Sequence, residues 1–384
     1  SVTIPESVTS IGNEAFAETK LTEVTIPNPD CVIADNAFDP SVKVIQAKNP
    51  GELVWKFKTD GDVKSSPSIG WNGNIHLGSW DGKLYALDKN GTKLWEYKTN
   101  GHITSSPAID KNGNIYFGSR DGKLYCVSEQ GEKVWVFNSG DVGSYIDSSP
   151  LLDENFVYFG ATNGNFYSLN KTTGLLNWKF NVGKPIISSA VMGQYGRIYF
   201  GARDSKIYCL DSITGEKVWE YETGYLVESA AAIGGKNELY IGSKDDNLYA
   251  LDYSTGGLQW KLYAHASVLT SPTISNNGSI FIGTKNNKML SVSTDGETNW
   301  EFKDEDWITS SPAIGNDDTI YFGTFYNRIY ALSINNGKKL WEYETSGDVY
   351  SSPVINDSGQ LLVGSNDGFL YCIQTSSTGP ADSP

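Results

Sequence analysis

Three histidines, His76, His102 and His265, are the side chains of this 384-residue chain best suited to act as general bases or zinc ligands, and their spacing serves neither role. No His-x-x-x-His or Cys-x-x-Cys pair is present to seed a tetrahedral metal centre. The four cysteines, Cys31, Cys126, Cys209 and Cys372, are dispersed, with no two adjacent. Asp81-Gly82, Asp121-Gly122 and Asp367-Gly368 offer carboxylates to calcium, but each runs directly into a strand-like segment and lacks the dense oxygen spacing of a calcium loop. A nucleophile elbow and a phosphate-binding glycine loop are both missing. No metal, cofactor or catalytic residue is expected. The chemically informative side chains are instead aromatic and cationic ones that fall at corresponding places of a repeat.

That repeat is set by Trp55, Trp95, Trp135, Trp178, Trp219, Trp260, Trp300 and Trp341, spaced 40 to 43 residues apart. After each tryptophan come a turn, a Ser-Ser-Pro-like triplet, an Ile-Tyr-Phe-Gly-like run and a Leu-Tyr-Ala-Leu-like run. The apolar runs are β-branched and aromatic, of strand length, and bounded by Asn, Asp and Gly. Four short strands in about 40 residues make one propeller blade. The expected fold is all-β: an eight-bladed β-propeller of four-stranded blades. The first copy has its tryptophan strand alone and the last, ending at Leu370-Tyr371-Cys372-Ile373, lacks one. The strand around Trp55 is therefore expected to complete the blade of residues 351–373 and close the ring, leaving only short edges.

Local chemistry supports the same reading. Asn72-Gly73, Asn112-Gly113 and Asn277-Gly278 suggest tight two-residue hairpins. Gly51, Gly91, Gly131, Gly174, Gly215, Gly256, Gly296 and Gly337 precede the tryptophan strands, where a left-handed backbone is expected. Each tryptophan is expected to fill the space between neighbouring sheets. Cys126, Cys209 and Cys372 share one strand position in non-adjacent blades, too far apart to bridge, and should be buried thiols.

The blade motif Gly-x-x-x-Trp, Ser-Ser-Pro, Ile-Tyr-Phe-Gly-Ser, Asp-Gly-Lys-Leu-Tyr, as at residues 91–135, resembles the repeat of pyrroloquinoline-quinone-type eight-bladed propellers over residues 52–373. That repeat occurs in quinoprotein alcohol dehydrogenases and in a non-enzymatic outer-membrane assembly lipoprotein, so fold does not select function. The dehydrogenases hold quinone and calcium with Glu, Asn and a catalytic Asp beneath an adjacent-cysteine disulfide. Here no Cys-Cys pair and no matching Asp motif exist, and the repeats carry no long insertions.

In a propeller, the loops from second to third strand and from fourth strand to the next blade share one face. The varying residues there are Trp80, Arg120, Thr162, Arg203, Lys244, Lys285, Tyr326 and Asn366, with Lys64, Thr104, Asp147, Ile187, Glu228, Leu269, Thr309 and Tyr350 before the Ser-Ser-Pro positions. Trp80, Trp307, Phe325, Tyr326 and Tyr350 form an expected aromatic arc over blades seven, eight and one, able to stack on a sugar ring or a peptide side chain. Arg120, Arg203, Lys244 and Lys285 form a basic arc suited to carboxylates.

Residues 1–47 differ. Val2-Thr3-Ile4-Pro5 returns as Val24-Thr25-Ile26-Pro27 and Ala15-Phe16 as Ala37-Phe38, a 22-residue period resembling surface-protein-type leucine-rich repeats. Two such repeats cannot bury a core alone, so they are expected either to pack against the propeller or to be a fragment of a longer array, the start in mid-motif favouring the fragment, with 48–51 a linker. Residues 374–384 read as a polar, linker-like tail. A formal charge of −15 opposes nonspecific nucleic-acid binding, and no apolar run is long enough to span a membrane. The resulting expectation is a monomeric, non-catalytic, extracytoplasmic binding or scaffolding protein of the cell surface, secreted or periplasmic, recognising a glycan or a protein or peptide. A propeller enzyme and an envelope assembly factor binding extended peptides are the alternatives.

Overall fold

The computed structural model describes residues 1–140, 143–377, 379 and 380. Blade one is typical: an inner strand Ser68–Ile69, then Ile75–Gly78, Lys83–Leu87 and an outer strand Lys93–Lys98, antiparallel and in chain order across the sheet. The alternation that makes these strands is visible in burial. The second and third strands lie between neighbouring sheets and are apolar on both faces, whereas the outer strands expose every other residue, as half-covered antiparallel strands do. Six further blades of the same order occupy residues 108–138, 151–181, 191–222, 232–263, 273–303 and 313–344.

The eighth blade joins the two ends of the propeller. Val354–Ile355, Gln360–Gly364 and Phe369–Gln374 are completed by Leu53–Lys58, with Tyr371 opposite Lys56 and Cys372 opposite Trp55. The termini of the repeat array therefore close the ring by strand pairing, as its incomplete first and last copies require.

Two contacts repeat between blades. The glycine before each outer strand lies against the tryptophan of the preceding blade: Gly91 on Trp55, Gly131 on Trp95, and so around to Gly51 on Trp341. All eight of these glycines have positive φ, between 67° and 90°. A Cβ at Gly215 would sit 2.5 Å from the Trp178 ring, so both the backbone conformation and the space demand glycine. Most of the indoles also donate Nε1–H to a backbone carbonyl of the next blade, as Trp135 does to Lys171 at 2.9 Å and Trp219 to Tyr253 at 3.0 Å. Trp135 and Trp219 are fully buried, and the others are half-buried.

The second contact lines the channel. The backbone N–H of the second residue in each Ser-Ser-Pro triplet donates to the hydroxyl of its counterpart in the next blade: Ser66 to Ser106, Ser106 to Ser149, Ser149 to Ser189, Ala230 to Ser271, Ser271 to Ser311, Ser311 to Ser352, and Ser352 back to Ser66, at 2.8 to 3.1 Å. The circle is open at one place, where Ala230 offers Ser189 no hydroxyl.

The Asn-Gly turns differ from expectation. Only the glycines, Gly73, Gly113 and Gly278, have positive φ. Gly73 N–H bonds to Gly70 O and Gly70 N–H to Asn74 O, so the loop is a type I turn followed by a left-handed glycine, one residue longer than a two-residue hairpin. The Asn side chain instead accepts from the backbone two residues on, as Asn72 Oδ1 does from Asn74 N–H at 2.9 Å.

Residues 1–46 form a short parallel stack: Val2–Thr3, Glu23–Ile26 and Lys43–Gln46 in one sheet, Ser10–Ile11 beside Val32–Ile33 in another. Val2 pairs with Val24 and Ser10 with Val32, which is the 22-residue period in space. Ile4, Ile11, Val24, Ile26, Cys31, Ala37 and Val42 form its core, and Phe16 stacks on Phe38 at 5.1 Å. The tail is no free linker as far as Pro380. Thr375 and Ser377 are buried, Ser376 Oγ donates to Asp317 at 2.7 Å and Asn316 N–H to Gly379 O at 3.2 Å, which straps the segment to blade seven. All four cysteines are buried and free. Desolvation raises the thiols of Cys126, Cys209 and Cys372 to about 12, which removes them as nucleophiles.

Candidate functional site

The rim residues vary in side chain but not in how their backbone is held. Trp80 N–H bonds to Asp62 O, Arg120 to His102 O, Arg203 to Pro185 O, Lys244 to Leu226 O and Phe325 to Trp307 O, each at 2.9 to 3.0 Å, with Lys285 to Ser267 O at 3.2 Å. Each turn between second and third strands is thereby pinned to the loop entering the same blade. Phe325, not Tyr326, holds this position in blade seven. Tyr326 stands one place on, where blade one has Asp81.

The turn aspartates are structural. Asp81 Oδ1 accepts from Lys83 N–H at 2.9 Å, and Oδ2 accepts from the Tyr85 hydroxyl at 2.6 Å and from Asp60 N–H at 3.1 Å. Asp121 and Asp367 repeat the set. The tyrosine acidities are correspondingly weakened, by burial first and by the neighbouring carboxylate second.

The aromatic residues come together as one run. Trp307 packs on Phe325 at 5.3 Å, and Phe325 meets Tyr326 at 5.1 Å and Tyr350 at 6.1 Å, both edge-on. Lys64 links this group to Trp80, its Nζ 5.6 Å from the Tyr350 ring and 3.5 Å from the Trp80 ring. Trp80 stacks on His102 at 4.9 Å, and Arg120 reaches over its ring at 5.0 Å. The His102 imidazole, though exposed, is packed on an indole and bonded through Nδ1 to Trp80 O. Trp307, Tyr326 and Tyr350 remain exposed.

The basic arc is largely neutralised from within. Arg120 forms a two-point pair with Asp147, at 2.9 and 3.0 Å, and Glu228 holds both Arg203, at 2.7 Å, and Lys244, at 2.8 Å. Lys285 is the exception among the four, lying 5.4 Å from the Trp307 ring rather than against a carboxylate. A cleft of about 580 Å³ opens between blades one and two, walled by Trp80, Lys98, Asn100, His102, Arg120 and Tyr145. Sequence reasoning passed over Tyr145, which lies under Arg120 at 5.6 Å. Its loop is longer than its equivalents, which hides the alignment.

The opposite mouth of the channel is a cavity of about 830 Å³ walled by Ile69, Ile109, Ile233, Ile274, Ile314 and Ile355, with Pro353 and Pro380. An aliphatic wall of this kind does not fit a quinone held over calcium, which needs clustered oxygen ligands. Among the described residues there is no group of three or more His, Cys, Asp or Glu able to hold a metal ion. No helix among the described residues is long and apolar enough to cross a membrane.

The chain is similar in structure to BamB from Moraxella catarrhalis, at 18% identity and a TM-score of 0.73 over 84% of this chain and 99% of that one. The computationally designed protein Ika8 gives 17% and 0.73, over 84% and 100%. Quinohemoprotein alcohol dehydrogenase from Comamonas testosteroni gives 14% and 0.73, over 87% and 77%. At such identities the likeness shows the fold alone. No curated relative matches in sequence. The family model described as outer membrane protein assembly factor BamB matches residues 39–220 and 203–381, nearly the whole chain, and the chain belongs to that family.

Proposed function

We propose that this chain is a non-catalytic, extracytoplasmic binding and scaffolding protein that takes an extended segment of a partner protein across the rim carrying Trp80, Arg120, Arg203, Lys244, Lys285, Trp307, Phe325, Tyr326 and Tyr350. The observation that carries the reading is the continuous contact path from Trp307 through Phe325, Tyr350 and Lys64 to Trp80. Flat aromatic faces held rigid by their neighbours bind side chains with little ordering cost. Arg120, Arg203 and Lys244 are already matched to carboxylates, so acidic groups of a partner would compete there with Asp147 and Glu228, whereas Lys285 lies against the Trp307 ring. Membership in a family described as an outer membrane protein assembly factor supports a protein partner over a glycan and an envelope, periplasmic-type setting. Residues 1–47 are proposed as a separate leucine-rich-repeat-like unit, joined through 48–51 to the propeller of 52–373.

The test is a binding screen of aromatic-rich and acidic peptides beside a glycan panel, on the wild type and on a Trp80→Ala, Trp307→Ala, Tyr326→Ala triple variant. Peptide binding is expected to weaken at least tenfold, about 1.4 kcal/mol. Equal affinity in both proteins removes the rim from consideration. Binding of glycans alone replaces the partner class. Dye-linked alcohol oxidation on addition of pyrroloquinoline quinone and calcium would establish the enzyme reading instead.

A further inference from the structure

The inner strands change character along the channel. Toward the rim, the second residues of the Ser-Ser-Pro triplets form the circle of hydroxyls already described. Three residues further on, all eight inner strands end in an apolar side chain, isoleucine in six of them and Leu152 and Met192 in the other two. Three extended residues span about 10 Å, so a polar belt and an apolar belt follow one another down the channel. Seven of these eight side chains are only half-buried, because part of each faces the channel. The apolar belt walls the cavity of about 830 Å³ at the mouth opposite the rim. That volume lies within the roughly 300 to 1,000 Å³ of pockets that enclose a small ligand.

Two observations narrow the occupant. The first is the chain's own tail. Gly315 pairs with Pro380 and Asn316 N–H donates to Gly379 O at 3.2 Å, so the strap across blade seven sets the Pro380 ring into the cavity wall. An apolar group brought from outside the ring of blades already seats at this mouth. The second is charge. Among the described residues that line the cavity, Asp357 alone is ionisable, and it is exposed. A carboxylate at the entrance of an aliphatic chamber, on a chain of formal charge −15, repels anionic head groups and attracts an ammonium. Trp71, from the adjoining blade one, lines the same entrance and is 83% exposed. An indole face also attracts an ammonium group.

We propose that this chamber binds a single-chain cationic amphiphile, a long-chain primary amine, with the alkyl tail inside the belt of isoleucines and the ammonium at Asp357 and Trp71. An alkyl chain brings no polar group that the belt would have to satisfy. No rim residue takes part, so the site stands or falls independently of the peptide reading.

The test uses the intact chain with ¹³C-labelled isoleucine δ1-methyl groups. Hexyl-, octyl-, decyl- and dodecylamine are titrated below their micelle concentrations, with octanol and octanoate as neutral and anionic counterparts. The methyls of Ile69, Ile233, Ile274 and Ile314 should shift saturably, while that of Ile213, 73% exposed on the outer turn of blade four, stays in place. Each methylene added to the amine should tighten binding about fourfold until the belt is filled. Octylamine should bind about fivefold more tightly than octanol, and octanoate more weakly than either. Asp357→Asn with Trp71→Ala should make amine and alcohol equal, and Asp357→Lys should reverse the order of amine and octanoate. Both side chains are exposed, so these variants keep the blade cores. Ile233→Glu with Ile274→Glu should prevent binding of every chain, and Asp357→Lys decides alone if that variant does not fold. No saturable shift of the channel methyls, an equal shift at Ile213, affinity independent of chain length, or an order of head groups that Asp357→Lys leaves unchanged overturns the proposal. So does tighter binding of a lysine-bearing aliphatic peptide than of any amine.

Discussion

Burial of His76 couples the stability of blade one to acid. Desolvation lowers its pKa from 6.5 to about 4, against a weaker opposing pull from the Ser68 carbonyl. A histidine depressed in the folded state contributes fully above the unfolded pKa. As pH falls from about 6.5 toward 4, the unfolded chain takes up a proton that the folded chain refuses, and stability is lost across that window. The shift corresponds to about 3 kcal/mol. Denaturant midpoints measured at pH 7 and pH 4.5 should show the loss, and His76→Tyr should remove this component of it. A midpoint difference unchanged by that substitution would mean that other groups carry the acid sensitivity. At the rim, Arg120→Ala leaves Asp147 without its two-point partner and half-buried, so about 1 to 2 kcal/mol of destabilisation is expected by the same measurement.

Turns are where elements depend on single residues. Gly215 and Gly73 both have φ near +75° to +80°, but only Gly215 faces a ring, with Trp178 2.5 Å from its missing Cβ. Gly73→Ala should cost about 1 kcal/mol for the backbone alone, because its space is open. Gly215→Ala adds a clash and should cost about 3 kcal/mol or more. Thermal unfolding of the two variants checks the contrast, and similar losses would show that the Gly–Trp contact between blades is not rigid. The sequence signalled left-handed glycines before every outer strand, and all eight are found so. It did not reveal that an indole of the preceding blade fills the space above each one. It misassigned the length of the Asn-Gly turns, because a positive φ at glycine alone serves two different loops.

For the whole molecule, the interrupted circle of Ser-Ser hydrogen bonds gives a test in the stabilising direction. Ala230→Ser places a hydroxyl where the Ser189 N–H would meet one, completing the eighth link. A gain of about 0.5 to 1.5 kcal/mol in unfolding free energy is expected, and Ser271→Ala should cost a similar amount by opening a second gap. No change in the first variant would show that water already satisfies Ser189. Ring closure is a larger effect of the same kind. Removing residues 1–58 deprives Phe369–Gln374 of its outer partner and exposes a bare strand edge, so the single unfolding transition should broaden and move to lower temperature.

The amino-acid sequence by itself determined the number of blades, the order of strands in each and the partnership of the two ends, because these are written in residues repeated every 40 or so positions and enforced by local backbone preference. Trp55 without its three strands and Tyr371 without its fourth were enough to locate the closing blade. The rim was legible only as a set of positions. That Arg120 is matched by Asp147, that Glu228 holds two cations, and that Lys64 bridges Tyr350 to Trp80 were decided by the tertiary structure. So were the strapping of Thr375–Ser377 onto blade seven and the seating of Pro380 in the channel wall. These contacts join loops that belong to different blades, and their energies depend on which distant side chains the ring brings within a few ångströms, a quantity that no period along the chain encodes.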